Sequence, residues 1–203
     1  WKCREGAPCP DFGGDHRWKL LRKLVQEKSM TGEARNLANN IWSLASMLCS
    51  DQPLIDEIAQ GIFTNSSELK AQEVSNTCWA FATLKRIDPP LFERLATETL
   101  LKVPEGVNQD ITNTLWAFAT VPCEHEPLFT FLSLHASERA QEFKPQELAN
   151  SIWSLATVAL KHEALVLRVS RQVSQLSSEF LTQNLANFVW AYAKLAYSED
   201  TVI

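Results

Sequence analysis

A tryptophan returns every 37 residues along this chain, at Trp42, Trp79, Trp116, Trp153 and Trp190. An asparagine stands three residues before each, at Asn39, Asn76, Asn113, Asn150 and Asn187. The copies read NLANNIWSLASML, EVSNTCWAFATL, DITNTLWAFATV, ELANSIWSLATV and NLANFVWAYAKL. Pro53, Pro90 and Pro127 follow eleven residues after the tryptophan, with Ala164 in the fourth copy, and an apolar pair comes next each time. A fixed period of this length restricts the chain to supersecondary units that stack on one another.

Two helices fit each period. The Asn-x-x-Trp segment is rich in Ala and Leu, and its apolar residues recur at i, i+4 and i+7, the spacing of an amphipathic helix. The proline suits the first turn of a second helix, where a missing N–H costs nothing. That helix carries Leu54, Ile55, Ile58 and Ile62 in the first copy, and Leu91, Phe92, Leu95 and Leu100 in the second. The short link between them predicts antiparallel neighbours. The link to the next repeat is longer and polar. One hairpin cannot bury its apolar face, but a stack can, so the expected fold is all-α, an α-solenoid of antiparallel helix pairs with a 37-residue period. Scarce glycine, at 6 copies, disfavours a turn-rich β fold.

Residues 31–203 are expected to form four hairpin repeats and the first helix of a fifth. Residues 1–30 are expected to give a loop rich in Gly, Pro and Cys, then a basic helix left from a preceding repeat. Trp1 shows no initiator or signal-peptide pattern, and Ile203 falls partway through a repeat; both are read as marking an interior piece of a longer protein. No apolar run approaches the ~18 residues that a membrane span needs.

On a wheel of 100° per residue, the apolar positions five before, one before and two after the tryptophan read as core, together with the tryptophan itself. The tryptophan series is therefore expected to be the structural core of the repeat. Small residues four before and three after it let helices approach closely. The other half of the wheel is polar. Seven before the tryptophan stand Arg35, Gln72, Gln109, Gln146 and Gln183. Six before stand Asn36, Glu73, Asp110, Glu147 and Asn184. Two before stand Asn40, Thr77, Thr114, Ser151 and Phe188. These three series are the candidate ligand contacts, since equal spacing along a solenoid surface suits a polymer read one unit per repeat. The asparagines, three before, either contact a ligand or bond to the backbone of the next repeat.

Net charge is −5, but residues 1–30 hold seven Lys/Arg against four Asp/Glu, while the remainder holds twelve against twenty. An acidic balance counts against strong autonomous nucleic-acid binding, which draws on phosphate neutralisation. Arg17, Lys19, Arg22 and Lys23 are the candidate phosphate contacts. The five cysteines are odd in number and lack the spacing of a secreted scaffold, so a reducing compartment is expected. Cys3, Cys9 and His16 do not have zinc-site spacing, and His125, beside Cys123, is read as a loop residue. The four histidines are read as unrelated positions. No metal, no cofactor and no enzymatic activity are expected.

The segments LANSIWSLATV and NTLWAFATV, each within a copy of the repeat, resemble octotricopeptide repeats and the related heptatricopeptide repeats, over residues 31–197. The resemblance implies an organellar RNA-binding α-solenoid, in a mitochondrion or plastid, acting in RNA stability, processing or translation. It also implies that the first helix of each repeat supplies the side chains that face single-stranded RNA. Two functions follow as expectations. One is an RNA-binding repeat protein that takes about one base per repeat, on single-stranded RNA or rRNA. The other is a scaffold subunit of an organellar complex, such as a mitochondrial or plastid ribosome, held mainly by protein contacts.

Overall fold

Each tryptophan segment forms a helix of 13 residues: α1 (Ala34–Ser46), α3 (Ala71–Thr83), α5 (Asn108–Thr120), α7 (Pro145–Thr157) and α9 (Thr182–Lys194). The second helices are α2 (Gln52–Asn65), α4 (Pro89–Lys102), α6 (Glu126–Glu138) and α8 (Glu163–Gln175). These come from a computed structural model that describes residues 16, 19–20, 23–25, 33–49, 51–102, 105–122, 125–175 and 180–195. The described residues are all-α, with no strand among them. The expected loop over residues 1–15, together with Arg17, Arg22 and Cys123, lies outside the described residues. Lys19 and Lys23 are exposed and helical.

Two recurrent terminal devices set the hairpin. The second helices are capped two residues before the proline position: Asp51 and Asp88 accept the N–H of Leu54 and Leu91 at 3.3 and 3.2 Å. His125 and His162 hold the same place, each Nδ1 accepting the N–H of Leu128 and Leu165 at 3.1 and 3.2 Å. An imidazole with its proton on Nε2 offers Nδ1 as an acceptor, so it serves as an aspartate does. This corrects the sequence reading: the two histidines are one repeat apart, and His125 is a cap.

At the other device, the first helices end on a left-handed residue: Leu48 (φ 52°), Lys85 (φ 54°) and Ala159 (φ 56°). Around Lys85, the Arg86 N–H reaches the Phe81 carbonyl at 2.9 Å and the Lys85 N–H reaches Ala82 at 3.1 Å, closing the last helical turn. After α5 the equivalent residue is Pro122, whose ring forbids positive φ, and the chain leaves through extended Val121 (φ −103°, ψ 146°).

The core lies between the layer of first helices and the layer of second helices. Its first-helix side is formed by the positions expected: Leu37, Val74, Ile111 and Leu148; Ile41, Cys78, Leu115 and Ile152; Leu44, Phe81, Phe118 and Leu155. Phe92 of α4 meets Phe118 of α5 edge to face at 5.3 Å, joining one repeat to the next. Each first helix packs on the next first helix more extensively than each second helix packs on the next. Basic residues tie the links down. Lys102 pairs with buried Glu98 at 2.8 Å and donates to the Ser67 carbonyl at 2.9 Å, while Arg94 donates to the Ser66 hydroxyl at 2.8 Å. One repeat further on, Arg139 donates back to the Gly106 carbonyl, in the link before α5, at 3.0 Å.

A left-handed non-glycine residue costs about 1 kcal/mol. Lys85→Gly is therefore expected to raise stability by up to about 1 kcal/mol, since the gain is partly offset by unfolded-chain entropy. Urea denaturation of the variant beside the native chain checks this; destabilisation would contradict it.

Candidate functional site

At 100° per residue, the asparagine, the residue seven before and the residue four after the tryptophan all fall within about 60° of it. In the structure these positions form one open stripe along each first helix, facing away from the second helices. It carries Gln72, Asn76, Trp79 and Thr83 on α3, then Gln109, Asn113, Trp116 and Thr120 on α5, then Gln146, Asn150, Trp153 and Thr157 on α7. The flanking stripes are Arg35, Asn39, Trp42 and Ser46 on α1, and Gln183, Asn187, Trp190 and Lys194 on α9.

The tryptophans are not interior, contrary to the expected core role. Trp79, Trp116 and Trp153 are half-buried against the core, and Trp42 and Trp190 are 41% and 44% exposed. The reason is angular: the tryptophan stands about 100–160° away from the three core positions, at the rim of the open stripe. Trp153 and Trp190 stack at 6.2 Å with 29° between their planes. The Lys194 ammonium lies 4.9 Å over the Trp190 ring and reaches the Thr157 carbonyl at 3.4 Å.

The asparagine side chains make no hydrogen bond among the described residues, and neither do Gln72, Gln109, Gln146 and Gln183. The ladder between repeats is absent: where Asn39 and Asn150 accept a bond, it is through the backbone carbonyl, from Ser43 and Ser154 at 2.8 Å. The four glutamines are exposed, and so is Arg35, which pairs with Glu73 at 3.6 Å.

The other two candidate series occupy a different flank of the helix and correct the expectation of an open surface. The carboxylates six before the tryptophan close capping boxes. Glu73 accepts the Lys70 N–H at 2.8 Å, Asp110 the Val107 N–H at 3.0 Å, and Glu147 the Lys144 N–H at 2.8 Å. Asp110 also accepts the Ser75 hydroxyl of the preceding repeat at 2.8 Å, and Asn184 is buried. Two before the tryptophan, Thr77, Thr114 and Ser151 are buried and donate to the carbonyls of Glu73, Asp110 and Glu147 at 2.7, 2.8 and 2.8 Å. Phe188 packs at the core margin against Tyr192. On α1, which has no earlier first helix beside it among the described residues, the position six before is exposed, at Asn36.

The arrangement presents amide donors and acceptors beside indole faces, repeated along one side of the stack. Among the described residues, no three of His, Cys, Asp or Glu gather as a metal site, and no helix is long and apolar enough to cross a membrane. Cys49 and Cys78 are free and buried, and burial pushes the Cys78 thiol far up, so it stays protonated.

The neighbours Gln109 and Asp110 separate open surface from joint. Asp110→Ala leaves a helix-start N–H without its acceptor and removes the bond to Ser75, which is expected to cost about 1–3 kcal/mol. Gln109→Ala is expected to stay within about 0.5 kcal/mol of the native chain. Thermal or urea unfolding of the two single variants checks the contrast; equal effects would contradict it.

The family model of the RNA-editing substrate-binding complex 6 protein matches residues 22–200. No curated protein matches the chain.

Proposed function

The chain belongs to the RNA-editing substrate-binding complex 6 family, and from that premise we propose that it is an RNA-binding subunit of a larger assembly. It binds through the open stripe of its first helices and carries out no reaction of its own. The observation that carries this reading is the row of asparagine and glutamine amides, in one register, with no hydrogen bond among the described residues. A polar side chain kept at the same place in repeat after repeat, with nothing inside the chain to hold, is suited to an external ligand. Amides match the edges of unpaired bases and the 2′-hydroxyl, since each offers both donors and an acceptor. The seven-before series stays in the proposed site, joined by the asparagine and tryptophan series. The series six and two before serve the packing of α3, α5 and α7.

We further propose that the stack is an α-solenoid of 37-residue hairpins of the octotricopeptide or heptatricopeptide kind, acting on RNA in a mitochondrion or plastid. The spacing of the tryptophans and the resemblance of their segments support both readings. Lys19 and Lys23 are exposed and are offered as accessory phosphate contacts. A second reading, a scaffold subunit held by protein contacts, is favoured by exposed apolar side chains on the second helices: Phe63 on α2, Leu101 on α4, Leu134 on α6 and Leu167 on α8. The two readings occupy opposite layers of the stack and are compatible.

The test uses the full chain and a labelled pool of random single-stranded RNA, read by fluorescence anisotropy. The triple variant Asn76→Ala, Asn113→Ala, Asn150→Ala is expected to weaken binding about tenfold or more. Its stability is expected to change by less than about 0.5 kcal/mol per site. No binding of the pool by the native chain would remove the RNA reading and leave the scaffold.

A further inference from the structure

Resting on the RNA reading, and deepening it, we infer that the open stripe holds unpaired RNA without reading its sequence, by laying bases against the row of indoles. Uniformity is the first ground. On α3, α5 and α7 the stripe carries the same residues each time, an exposed Gln, a half-buried Asn and a half-buried Trp. A surface that reads sequence must differ from one unit to the next. Two polar positions that differ between these helices, Glu73, Asp110 and Glu147 with Thr77, Thr114 and Ser151, are committed to capping boxes and backbone carbonyls in the joints. Every nucleotide along the middle of the stripe therefore meets the same groups.

The chemistry of those groups is the second ground. The half-buried indoles pack against the core and lie beside an amide that makes no hydrogen bond among the described residues. An indole face accepts any base, because every base has a π-face. An amide is equally tolerant, since it can turn to present a donor or an acceptor. Trp190 is already engaged, by the Lys194 ammonium over its ring and by the stack with Trp153, so the indoles offered to bases are those in the middle of the row, Trp79 and Trp116. Charge is the third ground. The open positions of α3, α5 and α7 are neutral, and the charged ones, Arg35 and Lys194, lie on the end helices. A neutral lining does not favour phosphates, so the strand lies with bases inward and phosphates toward solvent. A duplex, whose bases are stacked and paired, cannot offer those faces.

The experiment compares the full chain binding labelled oligo(U), oligo(A), oligo(C) and a perfect RNA hairpin, by anisotropy and by quenching of intrinsic tryptophan fluorescence. The three homopolymers are expected to bind within about tenfold of one another, the hairpin more than about tenfold weaker, with the fluorescence quenched. Trp116→Ala is expected to weaken all three homopolymers by about tenfold, and Trp116→Phe to recover most of that loss. A preference above about tenfold for one homopolymer, equal binding of the hairpin, or binding without quenching overturns the inference while leaving RNA binding intact. Failure to bind any strand removes the RNA reading itself. The homopolymer ranking needs no variant, so it decides the matter even where Trp116→Ala fails to fold.

Discussion

The close joint between successive first helices is the contact on which the rest of the structure depends. One side of it is made by small residues four before and three after the tryptophan: Ala38 and Ala45, Ser75 and Ala82, Thr112 and Ala119, Ala149 and Ala156, all buried. The other side is made by the residues six before, two before and one after it on the next helix, among them Ala80, Ala117, Ser154 and Ala191, each 0% exposed. Two bonds mark the contact directly, Ser75 to Asp110 at 2.8 Å and Thr112 to Ser151 at 3.5 Å. Small side chains let the backbones come near, and close packing then leaves no room for a free polar group. The carboxylates and hydroxyls of this flank therefore have to find partners within the helix starts and the backbone.

That joint also makes the surface. First helices pack on one another more extensively than second helices do. The side of each first helix opposite the core is left uncovered by them. Tryptophan stands at the edge of this face, large enough to rest on the core and still show one side to solvent. The asparagine and glutamine beside it have no joint to serve. The end helices confirm the geometry by departing from it. Ala186 and Ala193 of α9 are exposed where their equivalents are buried, and Ser43 of α1 is exposed where its equivalents are buried. Among the described residues, a position next to another first helix is buried, and the same position on the end helices opens where no described first helix lies beside it.

Much of the fold was legible because it depends on local spacing. The tryptophan register located α1, α3, α5, α7 and α9, and the apolar positions around it identified the core-facing residues. The caps went unread, although Asp51, Asp88, His125 and His162 stand one period apart, because the change from aspartate to histidine hides the series. The capping boxes were visible as an acid six before the tryptophan, but an acid on a polar face reads as surface until its N–H partner is known. The tryptophan falls in the apolar half of the wheel, but about 100–160° from the core positions, and so lies at the edge of that half and not at its centre.

The sequence by itself determined the period, the helices, the core side of each and the small residues that allow a stack, since all of these follow from spacing and side-chain size along one segment. Tertiary structure alone decided which polar side chains are free. Half of a helix wheel can be polar, yet a stack covers one flank of it and leaves another open. Which flank is covered depends on how helices 37 residues apart approach one another. That approach gave the acids and hydroxyls to the joints, and left the amides and indoles to face outward.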